Sequence, residues 1–472
     1  MSVAERMSAT EDQAPTGRLT TPQRHAKAQP KPPPHIKKTQ IVVVGGGAGG
    51  LELVAKLAKR YRKKYYDIIL IERNSAHIWK PLLHEVAAGS LDANMDELGY
   101  RAHGHKWGYR FFLGEVEDID RMTRHVVIAP LMDEDGGEVM GRHRIRYDYL
   151  VMAVGSVSND FGTPGVKDHC VFLDRRSQAD RFRQKLLHHC LRVSRTMILN
   201  TRADEYVRVA IVGGGATGVE LAAELFNAAA ALRYYGLEVF DESRLKVTLI
   251  EAGPRILPAL PEKLAQAAHE ELEALGVRVL TSTQIEKVDA NGLHAKSGDV
   301  IGADLKVWAA GVRGADFLKD IGGLETNRGN QLQVLPTLQT TRDERIFAIG
   351  DCACFVPEGA ERPIPPRAQA AHQMAETAFD NLVALIEKKR PMRAFVYRDH
   401  GSLVSLSRFS TVGSLMGNLI GGRMAVEGRL ARFVYVSLYR MHLMAIHGWL
   451  KGLVLIVMGH VNAVIRPKLK LH

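Results

Sequence analysis

Cysteine is scarce in this chain: Cys170, Cys190, Cys352 and Cys354 are the only four in 472 residues. A secreted fold stapled by disulfides is excluded, and a reducing compartment is expected. Long clean apolar runs are missing too. The most apolar stretch, 450–465, is interrupted by Lys451, His460 and Asn462, and so falls short of the roughly 20 residues a membrane-crossing helix requires. Residues 1–37 have neither apolar periodicity nor an apolar h-region, which argues against a secretory signal, while Glu5, Glu11 and Asp12 weaken a transit-peptide reading. With Pro30, Pro32, Pro33 and Pro34 among scattered charges, this stretch cannot bury enough surface to fold and is expected to be a disordered tail. Acids are almost absent near the other end, where Arg423, Arg429, Arg432, Arg440, Lys451, Arg466, Lys468 and Lys470 face only Glu427. Much of the net charge of +11 is therefore local, which points to an anionic surface, either membrane or nucleic acid.

What the chain does have is one motif twice. Residues 41–50 read Ile-Val-Val-Val-Gly-Gly-Gly-Ala-Gly-Gly, and 209–218 read Val-Ala-Ile-Val-Gly-Gly-Gly-Ala-Thr-Gly. Each is a β-branched strand, a G-x-G-x-x-G turn (Gly45, Gly47, Gly50; Gly213, Gly215, Gly218) and the start of a helix. The first glycine permits the turn, the second admits a pyrophosphate to bare backbone, and the third lets helix pack on strand. A lone match is weak evidence, but here each is followed by a second strand ending in a carboxylate, Glu72 or Glu251, placed to accept from a ribose hydroxyl. The second spacing is longer, as an inserted helix and loop through 227–243 would make it. Two dinucleotides are expected.

Further strands are expected at 111–116, 125–129, 144–147, 149–155 (into Gly155) and 304–311 (into Gly311), the last two so alike that the duplication extends beyond the loops. An apolar strand then leads to Gly350-Asp351, where the carboxylate can serve a flavin's polyol hydroxyls or simply a turn. The next helix carries Gln369 and Gln373 one turn apart on a single face, either solvent-facing or set around a ring system. Cys352-Ala-Cys354 falls short of a four-ligand metal set, so ordinary buried cysteines are favoured. At 100° per residue, Arg429, Arg432, Arg440, His447 and Lys451 share one arc of a helix. The rest of its circumference is largely apolar, including Phe433, Leu438, Met441, Met444 and Trp449. That pattern suits helices lying in a membrane interface, although a core helix has the same look.

These residues carry a resemblance. Trp79-Lys-Pro-Leu-Leu-His-Glu-Val86, Gly213-Gly-Gly-Ala-Thr-Gly-Val-Glu220, Ala348-Ile-Gly-Asp351 and Ala368-Gln-Ala-Ala-His-Gln373, an A-Q-x-A-x-Q signature, resemble the bacterial type II NADH dehydrogenases. These are single-subunit NADH:quinone oxidoreductases among the two-dinucleotide flavoproteins. The match runs from about residue 39 to the C-terminus. It implies an α/β fold of two Rossmann-type domains, FAD-binding (38–160 and 331–392) and NADH-binding (161–330), with an amphipathic helical membrane-binding segment at 393–472. It further implies hydride transfer from NADH to FAD, then two electrons to a membrane quinone, feeding a respiratory chain without proton pumping. The helix after the first nucleotide unit lacks the redox cysteine pair of disulfide reductases, so electrons would pass directly from flavin to acceptor.

Carried over by resemblance, FAD falls to Gly45, Gly47, Gly49, Gly50, Glu72, Lys80, Val116, Gly155, Asp351 and Gln369. NADH falls to Gly213, Gly215, Gly218, Glu251 and Gly311. Glu220, Gln369 and Gln373 are the catalytic candidates. Glu220 has the bland alternative of a first-turn acid complementing the helix dipole. No metal and no nucleic-acid partner are expected, and the protein should sit peripherally on the cytoplasmic face of the plasma membrane. Its oligomeric state stays open, a homodimer among the alternatives. Two rivals stand: a sulfide:quinone reductase using cysteines, and a nicotinamide-sensing flavoprotein whose basic C-terminus binds nucleic acid.

Overall fold

In the computed structural model the described residues are 38–406, apart from 62, 92–96, 201–203, 233–239 and 241, together with strands at 410–417 and 422–427 and scattered positions in 444–458. The expected tail, 1–37, lies outside them. The chain opens with β1 (Thr39–Val44), α1 (Ala48–Arg60), β2 (Tyr66–Glu72), α2 (Leu83–Ala88), β3 (Arg110–Leu113) and β4 (Tyr149–Met152). It continues through α3 (Arg176–Leu199), β5 (Val207–Val212), α4 (Ala216–Leu232), β6 (Leu245–Ile250), β7 (Arg278–Leu280) and β8 (Leu305–Trp308). It returns with β9 (Gln339–Thr340), β10 (Asp343–Ala348) and α5 (Ala368–Glu387), then β11 (Gly401–Leu406), β12 (Ser410–Gly417) and β13 (Gly422–Glu427).

Two sheets organise this list. The first has the order β9-β10-β4-β1-β2-β3 and is parallel except for β9. The second, β7-β6-β5-β8, is wholly parallel. Their registers repeat: Val44 pairs with Ile71 and Met152, as Val212 pairs with Ile250 and Trp308. Runs such as Ile41-Val-Val-Val44 are buried throughout, as strands covered on both faces must be. In each sheet the glycine-loop strand is flanked by strands on opposite sides, which makes the end of β1 or β5 a switch point where a ligand crevice opens.

Two segments pack where chain order does not put them. Leu83, Val86, Ala87 and Ala88 of α2 join the core of the second sheet with Phe182, Leu186 and Leu225, and so do Val404 and Leu406 of β11. The 38–160 segment therefore sends α2 into the second sheet's core, because the apolar face of α2 meets α3 and α4. The expected helical segment at 393–472 requires correction: 401–427 contributes an antiparallel three-stranded sheet, β11-β12-β13. Alternating Val404 and Leu406 bury against the second core while Ser405 between them stays half-buried, a period of two that a helix cannot supply. The charged arc read over 429–451 lies almost wholly outside the described residues. Two i to i+4 bonds are present there, Gly448 N–H to Met444 O and Gly452 N–H to Gly448 O, both at 2.9 Å.

Candidate active site

The twin turns are superimposable in their chemistry. Gly45 has φ +102° and Gly213 φ +113°, and a Cβ on either would lie 2.3 Å from Ala153 O or 2.5 Å from Ala309 O. A Cβ on Gly50 would meet Gly45 O at 2.0 Å, as one on Gly218 would meet Gly213 O at 2.0 Å. A Cβ on Gly47 or Gly215 would meet nothing within 4 Å beyond its chain neighbours. First and third glycines are thus demanded by the protein's own packing, and the middle one faces an open cradle at a helix N-terminus, where an anionic group gains from N–H donors and dipole. Gly49 is also a packing glycine, its absent Cβ 2.8 Å from Ala371 O on α5.

Each carboxylate stands over its loop in the same way. Glu72 Oε2 accepts from Gly46 N–H at 2.8 Å and Oε1 from Asn74 N–H at 3.1 Å. Glu251 Oε2 accepts from Gly214 N–H at 2.7 Å and Oε1 from Gly253 N–H at 2.7 Å. Each carboxylate is oriented by backbone and keeps lone pairs for a diol. The loops differ at one carbonyl: Gly46 O accepts from the Tyr100 hydroxyl at 2.8 Å and lies 2.9 Å from His77 Nδ1, whereas Gly214 O accepts from Leu257 N–H at 2.7 Å. His77 and Tyr100 carried no sequence signal, since both sit outside any motif.

At the rim of the first sheet, Lys80 donates to Ser156 O at 2.9 Å and Asp174 Oδ1 at 3.2 Å, and Ser156 Oγ donates to Asp351 Oδ2 at 2.7 Å. Gly155, at φ +72° with open space about it, lies beside them in the chain. Lys80, Gly155 and Asp351 thus share one polar rim with Ser156 and Asp174, neither of which lies in a recognisable motif. Val116 is buried at the head of strand Val116–Asp120, two residues past Gly114, whose N–H donates to Glu72 O at 3.0 Å. Gly311, at φ +110°, accepts from Asn159 N–H at 2.9 Å beyond the second sheet.

Gln369 and Gln373 share the start of α5, and their amides are committed to backbone. Gln369 donates to Gly401 O at 2.9 Å and accepts from His400 N–H at 3.0 Å; Gln373 donates to Arg398 O at 2.8 Å and accepts from Arg398 N–H at 2.9 Å. A primary amide mimics a peptide group, so the pair clasps 398–401 as a neighbouring strand would. Between them, His372 meets buried Glu52 of α1 at 2.6 Å, and Lys56 meets the same carboxylate at 2.6 Å. Burial works to raise the Glu52 pKa, but the His372 and Lys56 hydrogen bonds outweigh it and hold the carboxyl low; the Glu52 bond raises His372. Glu52, His372 and Glu376 form a possible cation group, yet Lys56 already bridges Glu52 and Glu376 and supplies the positive charge.

Glu220 is buried on α4. Its Oε1 accepts from Ser405 N–H of β11 at 3.1 Å, and Oε2 lies 3.5 Å from Nδ1 of His84. Burial pushes the imidazole down to about 4, against the opposing pull of Glu224 and the Pro81 carbonyl. The thiols are held protonated: burial pushes Cys170 and Cys190 up to about 12 and Cys352 to about 11. Thiolates are the reactive form, so this arrangement disfavours thiol chemistry.

The sequence pattern of the pyridine nucleotide-disulphide oxidoreductases matches residues 39–375. A type II NADH:quinone oxidoreductase of Haemophilus influenzae is 48% identical over 443 residues, covering 92% of this chain and 99% of that one. A Staphylococcus aureus protein of the same description is 30% identical over 394 residues, covering 82% and 92%. Among solved structures, NDH2 from Plasmodium falciparum in complex with NADH shares the fold with a TM-score of 0.75 at 20% identity, over 92% of this chain and 100% of that one. With its twin nucleotide loops, this chain belongs to the pyridine nucleotide-disulphide oxidoreductases and, within them, to the type II NADH:quinone oxidoreductase family.

Proposed function

We propose that the chain is a flavoprotein that passes electrons from NADH to a membrane quinone without pumping protons, with FAD at the first loop and NADH at the second. The observation that carries this reading is the pair of open cradles at Gly47 and Gly215, each overlooked by a backbone-held carboxylate. A bound flavin supplies a hydride acceptor that can return two electrons. The residues do the rest. Gly47, in the turn that Gly45 and Gly50 make possible, would admit the FAD pyrophosphate, Glu72 would take the adenosine ribose, and Lys80 and Asp351 hold the rim where the ribityl chain would run. Glu251 accepts from a 2′-hydroxyl and repels a 2′-phosphate, which favours NADH over NADPH. In this reading 38–160 with 331–392 serves FAD and 161–330 serves NADH, α2 and β11 docking across.

Gln369 and Gln373 set the course of 398–401, and so act on the quinone side by fixing that segment as well as by proximity. Reaction stoichiometry is NADH + H⁺ + quinone → NAD⁺ + quinol, so one proton per turnover comes from water. For membrane attachment the support is apolar exposure: Leu453, Val454, Val457 and Met458 are 48%, 56%, 57% and 55% exposed at spacings that share a helix face. No helix among the described residues is long and apolar enough to cross a membrane. Attachment at the cytoplasmic face, where NADH is available, completes the proposal.

The test is steady-state oxidation of NADH and NADPH with a short-chain benzoquinone, alongside identification of the flavin released on heating. Quinone-dependent NADH oxidation and released FAD are expected. Absence of flavin, or equal use of NADPH, counts against the assignment.

A further inference from the structure

The seam between α2 and α4 holds more titratable groups than packing requires. Glu220 and Glu224 are 6% and 5% exposed on one face of α4, a helical turn apart, and His84 of α2 is 3% exposed against them. Glu224 is met by Asn227 Nδ2 at 2.8 Å. His84 Nδ1 makes no hydrogen bond and lies 3.5 Å from Glu220 Oε2, Nε2 lies 3.9 Å from Glu85 Oε1, and the ring also meets the Pro81 carbonyl. The Glu85 side chain is 28% exposed and therefore touches water. A buried ring nitrogen without a good partner carries a desolvation cost that an apolar side chain of similar size would avoid. Its position between an interior and a solvent-touching carboxylate gives the imidazole something to do.

We propose that His84 is a positioning residue acting through Glu220, linking that buried carboxylate to Glu85 and thereby to water, so that the proton taken up per turnover enters through this seam. The inference rests on the NADH:quinone reading above. In the step, Glu85 gives its carboxyl proton to Nε2 as Nδ1 gives its proton to the Glu220 carboxylate. One O–H and one N–H bond break, one N–H and one O–H bond form, and the ring ends neutral with its proton on Nε2 instead of Nδ1, while Glu85 regains its proton from water. A neutral resting imidazole suits this two-sided transfer, and burial keeps it neutral. Among the described residues, the charged groups facing it are Glu85 on its own helix and Glu220 and Glu224 on α4; on α3 Arg183 is paired with Asp180 at 3.2 Å, and β11 brings the Ser405 amide to Glu220. That amide continues the network toward the quinone side, since β11 begins where the clasp of Gln369 and Gln373 ends.

The test compares two acceptors. Ferricyanide takes electrons alone and needs no solvent proton, whereas a short-chain benzoquinone does. In His84→Leu and His84→Gln the ratio of quinone to ferricyanide turnover should fall on the order of tenfold, since positioned proton transfer contributes at least that much. The solvent deuterium effect on quinone turnover should rise with it. Glutamine keeps a hydrogen-bonding amide but cannot relay, so recovery in His84→Gln would overturn the proposal in favour of a purely structural role. Glu85→Gln, at a partly exposed site, keeps the test available if the buried variants fold poorly: the same selective loss supports the relay, and an unchanged ratio contradicts it. If the unaltered protein fails with both acceptors, the underlying NADH:quinone reading fails; if it turns over both and the variants lose both equally, only the relay does.

Discussion

At the scale of single residues, the glycines separate what the fold needs from what the ligand needs. A methyl group on Gly47 meets no atom within 4 Å, while one on Gly50 lies 2.0 Å from Gly45 O. Gly47→Ala should therefore fold with a melting temperature near that of the unaltered protein but carry far less flavin, because the methyl occupies the pyrophosphate's approach. Gly50→Ala forces α1 off β1 and should lose about 1–3 kcal/mol of stability, the usual cost of overpacking. Thermal melts read beside the flavin-to-protein absorbance ratio check both, and a Gly47→Ala protein with full flavin would remove the cradle from the account. The roles of these glycines were legible in the sequence because turn, approach and packing are local demands of one spacing. His77 and Tyr100 were not, since nothing near them in the chain says that both converge on Gly46 O.

At the scale of elements, α1 and α5 are joined by Glu52, Lys56, His372 and Glu376. Glu52 is held low, so its contribution is present above the ordinary carboxylate range and is lost as pH falls through the depressed value. His372 is raised by Glu52, so its contribution is full below the ordinary imidazole value of 6.5 and is lost as pH rises through the raised one. The clamp is strongest in mildly acidic solution. The difference in melting temperature between the unaltered protein and His372→Gln should peak there and shrink toward alkaline pH; a difference that is flat with pH would show the imidazole uncharged in the clamp. Strands β1, β2, β5 and β6 were readable from buried β-branched runs. The docking of α2 on the second core was not, because periodicity shows that a helix has an apolar face without naming what covers it. The strands at 401–427 had a signal, the alternation of Val404 and Leu406, which was subsumed in a helical reading drawn from charges further on.

At the scale of the molecule, two parallel sheets with matching glycine loops share one chain whose basic, apolar end is proposed to meet the bilayer. Replacing Leu453, Val454, Val457 and Met458 together by serine removes exposed apolar surface without touching either sheet. Binding to anionic vesicles should weaken by about tenfold or more, since full burial of such a side chain contributes about 1.5–3 kcal/mol, while NADH-dependent dye reduction persists. Co-sedimentation unchanged by the substitutions would place the attachment elsewhere. The central claim is that electrons run from NADH through a flavin to quinone, and the absorbance spectrum of the purified protein under anaerobic conditions tests it most directly. The account predicts an oxidised flavin spectrum that bleaches on adding one equivalent of NADH, with no thiol becoming reactive, and returns on adding quinone. A colourless protein, a spectrum indifferent to NADH, or a bleached flavin that quinone fails to restore would contradict it.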